Sequence, residues 1–403
     1  MGLGGLRILT AGESHGPGEL CVVAGVPAGM PLTADDIDRD LCRRQHGYGR
    51  GGRMRIESDQ VRILSGVRLG RCLGSPISLL VENVDHGNWL PVMSPSPSEA
   101  SPPSRVTVPR PGHADLGGVA KTGSMDIRDV LERSSARETV GRVAAGAVAK
   151  AVLREVGVTV RGRVIAVGGV RSELVADPLD PASVDWEAVE ASSFGTDDAA
   201  RDVEMREAVD GARDVGESLG GVFEIWAWGL CPGVGGYATP EERLDGRLMG
   251  AVGSVPAVKG VEIGLGFASA DLVGSQVHDA IVPAADPAGR SHGLTRGSNR
   301  AGGLEGGMTT GLPLVIRAAM KPIPTLTRPL PSVDLATGQV APAHKERSDV
   351  EAVAAARVVG EAMVAWVLAS AYLEKFGGDA VQDLHASFAA YAERLAERGI
   401  WQR

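Results

Sequence analysis

Ser135-Ala-Arg-Glu-Thr-Val-Gly-Arg-Val-Ala-Ala-Gly-Ala-Val148 reads as the opening of a buried helix. Ser135 followed three residues later by Glu138 has the form of a capping box, which satisfies backbone N–H groups that a helix start leaves bare. Behind it, Val140, Val143, Ala144, Ala147 and Val148 recur at helical spacing and form one apolar face. Such a face needs something to pack on. Short apolar runs read as strands at 6–10, 61–64 and 77–81 before this helix, and at 164–167, 222–226, 261–265 and 312–316 after it. A second start signal, Ser348-Asp-Val-Glu351, precedes a long apolar helix ending at Gly377-Gly378, and an amphipathic helix follows over 381–397. The pattern predicts mixed α and β structure in a single domain over 1–403, with no internal repeat. Pro and Ser crowd 94–104, which reads as an exposed loop, and the acid-rich run 185–217 reads as solvated helix faces.

Composition narrows the class. The chain has 403 residues, 43% of them hydrophobic and 23% charged, enough for a large core in an ordinary globular protein. Its beginning lacks the basic and apolar segments of a signal peptide. The most apolar stretch, 362–372, is about half the length of a membrane span and is flanked by Glu361 and Glu374. Cys21, Cys42, Cys72 and Cys231 are widely spaced, which suits reduced cytoplasmic thiols, and the eight histidines show no close metal-ligand spacing.

Against a formal net charge of -9, the segment Arg43 to Arg55 carries five arginines among glycines. Guanidinium forks match phosphate and carboxylate, so the stretch points to a small polyanion. An RNA-binding Arg-Gly tract is the rival reading. It is disfavoured by the acidic balance of the chain and its 4% aromatic content. Two histidines sit on rigid turns, His15 in Gly12-Glu-Ser-His-Gly16 and His113 in Pro109-Arg-Pro-Gly-His-Ala-Asp115. The glycine-rich Ser298 to Met308 has backbone N–H groups able to wrap a phosphate but lacks a P-loop ending. Gly233-Val-Gly-Gly-Tyr-Ala238 imitates a dinucleotide fingerprint only superficially, because Thr239-Pro-Glu-Glu242 reads as an ordinary helix cap.

Together with Gly47-Tyr-Gly-Arg-Gly-Gly-Arg53, Glu132-Arg-Ser-Ser-Ala-Arg-Glu138, Ala319-Met-Lys-Pro322 and Arg347-Ser-Asp349, these segments resemble the chorismate synthase family in content and order, from about Leu6 to Gly378. The resemblance implies an α+β fold, a single-domain β-α-β sandwich unlike a doubly wound sheet, assembled as a homotetramer. It also implies a cytoplasmic lyase of the shikimate pathway to aromatic amino acids. Its reaction is the anti 1,4-elimination of phosphate from 5-enolpyruvylshikimate 3-phosphate to give chorismate, with reduced FMN required although no net redox change occurs. NADPH enters only as a source of reductant, and the lack of an obvious reductase insertion points to a separate flavin reductase. Neither nucleic acid nor membrane is an expected partner. A net oxidoreductase, which would consume reductant in proportion to product, is the second rival.

The same resemblance assigns roles. His113 is the acid toward departing phosphate, His15 the partner of anionic reduced flavin, and Asp349 an aid to proton movement around the flavin. By its residues alone Asp349 is equally a helix N-cap. Arg44, Arg50, Arg53, Arg110 and Arg137 form the anion cage for a substrate carrying a phosphate and two carboxylates. Flavin contacts carry over to Arg133, Ser134, Ser135, Ala136, Ala257, Asn299, Gly306, Lys321, Pro322, Ile323, Pro324, Thr325 and Arg347. Pro256 stands where the family usually has Asn or Gln, so a flavin contact there must come from backbone.

Overall fold

The helix behind Ser135 has its partner in the C-terminal part of the chain. The computed structural model describes residues 5–50, 58–96, 105–175, 178–285, 291–346 and 349–402. In the N-terminal part, β1 (Arg7–Ala11), β2 (Gly18–Ala24), β3 (Val61–Ser65) and β4 (Ile77–Glu82) form an antiparallel sheet in the order β1-β2-β4-β3, and α1 (Ala34–Gln45) lies between β2 and β3 in sequence. Two short helices, α2 (Asp115–Thr122) and α3 (Arg128–Ser134), lead into α4 (Thr139–Glu155). The second sheet is built from β5 (Thr159–Val167), β6 (Val170–Arg171), β7 (Gly221–Trp228), β8 (Val258–Ile263) and β9 (Leu314–Met320). It is also antiparallel, in the order β8-β9-β7-β5-β6. Helices α5 (Ala199–Val215) and α6 (Leu244–Gly253) connect its strands, and α7 (Val353–Phe376) and α8 (Val381–Glu397) complete the chain.

The layers follow from which faces are apolar. Helix α4 packs on β1, β2 and β4 of the first sheet, α7 packs on β5 and β7 of the second, and the two helices pack on each other. The result is a sandwich of sheet, helices and sheet, as the resemblance implied. Helix α7 is too apolar for a surface position, and almost all of its side chains are buried in this central layer, so it is a core helix. Close approach of α4 and α7 depends on Gly146. A Cβ built there would stand 2.2 Å from Ala362 Cβ, inside any tolerable contact.

One charged cluster is locked into the same layer. Glu361, fully buried on α7, accepts hydrogen bonds from Arg43 Nη1 and Nη2 at 2.7 and 2.8 Å, from Lys150 Nζ at 2.7 Å and from the Gly162 N–H at 2.9 Å. Burial favours the neutral acid, but Arg43 and Lys150 outweigh it and hold the carboxyl well below the usual range. Arg43, which opens the arginine-rich stretch but stands outside the expected anion cage, therefore ties α1 to α7. The acids of the run 185–217 are mostly exposed, as expected for solvated faces, but some take partners. Glu190 accepts from Arg43, Asp210 from Tyr48 and Asp197 from Arg163.

Local signals were read correctly in part. Ser135 does cap, its Oγ accepting the Arg137 N–H at 3.3 Å, but the first turn is 3-10 and Glu138 pairs with Arg142 instead of reaching back. At α7 the capping carboxylate is Glu351, whose Oε2 accepts from Val353 N at 2.6 Å and Ala354 N at 3.4 Å. Thr239 makes no side-chain capping bond, and the α-helix after it starts only at Leu244. Strand β2 is absent from the sequence reading: its apolar run Leu20 to Ala24 is short and is preceded by Glu19, a buried acid, and by the turn-favouring residues Gly16-Pro17-Gly18. Helix α8 has the predicted bounds. Of the loop 94–104, residues 97–104 lie outside the described residues.

Candidate active site

The turn between β1 and β2 carries His15, and α3 delivers Glu132 to it. The His15 backbone N–H donates to Glu132 Oε2 at 2.9 Å, and His15 Nδ1 lies 2.9 Å from Oε1 and 3.0 Å from Oε2. Arg128, one helical turn before Glu132, donates to Oε1 at 2.8 Å. The imidazole stacks on Trp89 with ring centroids 3.7 Å apart, and the Arg128 guanidinium lies over the same indole at 5.2 Å. Burial raises the Glu132 pKa, but the His15 and Arg128 hydrogen bonds more than offset it, and the carboxyl sits below its ordinary range. Neighbouring Ser14 donates its backbone N–H to Glu132 O and receives the Ser135 hydroxyl at 3.1 Å. Arg133 reaches across to the carbonyls of Gly12 and Thr10. Ser134 turns back onto Val130 O, and Ala136 O accepts the Thr139 hydroxyl.

His113 is held by a second carboxylate. Asp115, the first residue of α2 and fully buried, lies 2.5 Å from His113 Nδ1 through Oδ1. It also accepts from Arg110 through the backbone N–H at 2.9 Å, Nε at 2.8 Å and Nη2 at 3.0 Å. Burial opposes ionisation here too, yet the bonds from His113 and Arg110 hold the carboxyl far below its usual range. The segment after β9 closes over this turn. Lys321 Nζ donates to Gly112 O at 2.8 Å, Thr325 Oγ1 accepts from Arg110 Nη1 at 3.3 Å, and the Ser218 hydroxyl pins Ile323 O at 2.6 Å. Pro324 lies against Gly112, and Pro322 against Gly220.

The predicted arginine cage is charge-compensated, which the sequence did not show. Arg44 Nη2 and Arg137 Nη1 grip the two oxygens of buried Asp59, each at 2.6 Å, while Arg137 Nε donates to Asn83 Oδ1 at 2.8 Å. Arg50 pairs with Asp349 at 3.1 Å, so Asp349 is an ion-pair partner and not the cap of α7. Arg53 and Arg347 lie outside the described residues. Beneath the Arg50–Asp349 pair, Glu351 is fully buried and its pKa is pushed up to about 7 by that burial. Glu19, beside Arg133, is likewise buried and raised to about 7.

The remaining predicted flavin residues belong to the edge of the second sheet. Ala257 takes φ +67, rare for a residue with a Cβ, just before β8, and its carbonyl accepts from Lys321 N. Pro256 precedes it. Asn299 is buried, with its amide spent on Pro178 O, Pro313 O and Gly303 N, and Gly306 turns with φ +60 between two short strands. Asn299 therefore braces the glycine-rich loop. Burial, and to a lesser degree the charge of Lys259, lower the Lys321 pKa. Sequence reasoning gave no role to Asp59, Trp89, Asp115 or Glu132. Asp115 and Glu132 stood inside quoted motifs, but only the fold shows which side chain each carboxylate faces.

Two histidines each meet a buried carboxylate at Nδ1, Arg44 and Arg137 share buried Asp59, and Lys321 Nζ is held on the His113 turn by Gly112 O. Comparison with known proteins identifies the family. The chorismate synthase family model matches residues 6–373. A chorismate synthase of Desulforudis audaxviator is 52% identical over 390 residues, covering 97% of this chain and 98% of that protein. One from Rubrobacter xylanophilus is 52% identical over 386 residues, 96% of each chain. A chorismate synthase crystal structure superposes with TM-score 0.78 at 39% identity, covering 97% of this chain and 98% of that one. A family model spanning most of the sequence and relatives matched nearly end to end place this chain in the chorismate synthase family.

Proposed function

We propose that this chain makes chorismate by eliminating phosphate from 5-enolpyruvylshikimate 3-phosphate, with the chemistry centred on His15 and His113. The observation that carries the reading is the matched pair of histidine–carboxylate contacts beside clustered arginines. An ionised carboxylate only accepts hydrogen bonds, so the proton of each His Nδ1 points at Glu132 or Asp115, and the exchangeable proton of each ring sits at Nε2. Protonated His113 gives that proton to the departing phosphate oxygen and completes the leaving group. His15 holds a proton for the anionic cofactor, and Asp349 takes part in proton movement near it. Arg44, Arg50, Arg53, Arg110 and Arg137 supply the field for the substrate's phosphate and carboxylates, each charged hydrogen bond contributing about 1.5–3 kcal/mol.

The residues fit a flavin mononucleotide. Lys321, whose Nζ lies at the His113 turn, suits its phosphate, and Arg133 to Ala136, Pro256 and Ala257, Asn299 and Gly306, Pro322 to Thr325, and Arg347 would hold the remainder. Reduced FMN, when bound, supplies the electron density that a carboxylate or imidazole lacks for removing a hydrogen not activated by an adjacent carbonyl. We read the chain as monofunctional, its reductant coming from a separate flavin reductase, and as cytoplasmic, which suits its four free thiols. A homotetramer suits the outer face of the first sheet, where Leu9 is 71% and Leu64 50% exposed.

The test is anaerobic phosphate release from 5-enolpyruvylshikimate 3-phosphate with pre-reduced FMN. Many turnovers per reduced flavin are expected, and reductant loss equal to product formed would replace the elimination with net redox chemistry. His15→Ala and His113→Ala are each expected to slow single-turnover chorismate formation by about 10²–10⁴-fold, with thermal melts preserved. Unchanged turnover in a stable variant removes that histidine from the mechanism.

A further inference from the structure

Glu132 stands at a junction that the reaction chemistry alone does not require. Three donors converge on its carboxylate: the His15 backbone N–H, the His15 ring through Nδ1, and Arg128 Nη1. The acid is almost wholly buried, with only 3% of its side chain exposed. The face of the imidazole is held as well, by Trp89 at 3.7 Å, whose indole Nε1 donates to Asp85 at 3.1 Å and which carries Arg128 on it. Beyond Arg128 lie Glu346 at 3.6 Å and His344, 2.9 Å from Glu346, while His86 Nδ1 meets His15 O at 3.0 Å. In-plane and face contacts together leave the ring one orientation.

We propose that Glu132 is the positioning residue of His15, fixing its proton at Nδ1 and stabilising its charged form, so that Nε2 alone exchanges protons with the bound ligand. The proposal rests on the functional reading above. Arg128 is its counter-charge: the guanidinium keeps Glu132 ionised, and an ionised Glu132 favours imidazolium at His15. The junction calls for a carboxylate, and the amide isostere does not satisfy it. A glutamine would turn its NH2 either toward the His15 backbone N–H or toward Arg128, setting donor against donor in both orientations.

The first test uses the unmodified protein. Histidine ¹⁵N NMR, with the His15 signals identified by their loss in His15→Asn, is expected to show a neutral His15 protonated at Nδ1 above its pKa. A neutral ring protonated at Nε2, or one averaging between the two tautomers, overturns the proposal whatever any variant does. The second test is Glu132→Gln. Its kcat is expected to fall at least about 10-fold at neutral pH while KM and FMN affinity change less than about 3-fold. Glu132→Asp, which keeps a carboxylate at the junction, should retain more of kcat than Glu132→Gln. A folded Glu132→Gln variant with kcat unchanged overturns the proposal, and if the variant fails to fold, the tautomer of the unmodified protein decides. His15→Ala keeps the two levels apart: full turnover there removes the function assigned to His15, whereas loss of turnover with an Nε2-protonated ring removes only the role of Glu132.

Discussion

Asp115→Asn is the substitution whose cost the structure sets most directly. The carboxylate receives two donors at each oxygen, Arg110 N and Nε at Oδ2 and Arg110 Nη2 and His113 Nδ1 at Oδ1. Asparagine keeps one oxygen and turns an NH2 toward the other pair, so two charge-assisted bonds are lost in either orientation. At about 1.5–3 kcal/mol each, that is about 3–6 kcal/mol, in line with the 3–5 kcal/mol typical of a buried ion pair broken on one side. Arg110 retains its bond to Thr325, which places the expected loss at the lower end, about 3 kcal/mol. Urea unfolding followed by circular dichroism measures it. Adding Arg110→Met should recover part of the loss, because the stranded charge is then gone. Turnover of the single variant should fall by about 10²–10⁴-fold through loss of the His113 tautomer. The Asp115 pKa is depressed in the folded state, so its stabilisation is full above the unfolded value of about 3.9 and lost as pH falls below it. The stability gap between wild type and variant should therefore narrow below about pH 4. A variant within about 0.5 kcal/mol of wild type and within 3-fold of its turnover would refute the reasoning.

Gly146→Ala should lower the melting temperature although alanine favours helix by about 1 kcal/mol, because the new Cβ collides with Ala362 and overpacking costs about 1–3 kcal/mol or more. Glu351 is raised to about 7 from an ordinary value of 4.5, so the folded state holds its proton longer and stability should decline as pH rises from about 4.5 to 7. Glu351→Gln should flatten that decline, by at most about 3 kcal/mol, in unfolding measured across the range; an unchanged slope would show that Glu351 titrates normally. Arg50→Lys keeps the charge facing Asp349 but loses the fork, and kcat/KM measured beside a thermal melt should fall at least about 10-fold without a shift in melting. A normal kcat/KM would leave Arg50 as a structural partner of Asp349 only.

Legibility in the sequence followed the range of the interaction. The 381–397 helix, the apolar face of α4 and the start near Ser135 were readable because they rest on contacts three or four residues apart. Strand β2 was not, since its central position in the first sheet depends on pairing with β1 and β4, and its buried Glu19 contradicts the usual pattern of a core strand. Arg43 looked like its neighbour Arg44 in the sequence, yet one meets Glu361 and the other Asp59. Asp40, one turn back, also accepts from Arg43 at 3.0 Å, but Glu361 and Asp59 lie 318 and 15 positions away from the arginines they meet.

The order and residue content of the motifs were enough to place the chain in its family, and the periodicity of its helices was enough for a mixed architecture, because both are properties of neighbouring residues. Tertiary structure decided the charge state and aim of the functional groups. Glu132 reaches His15 across 117 positions and Asp59 reaches Arg137 across 78, and whether a buried arginine is available to a ligand depends on which carboxylate the fold brings against it. That choice is made by the packing of two sheets on α4 and α7. In a low-dielectric interior a charge is stable only beside its partner, so the same packing that buries the apolar faces also fixes which side chains are ionised and where their protons point.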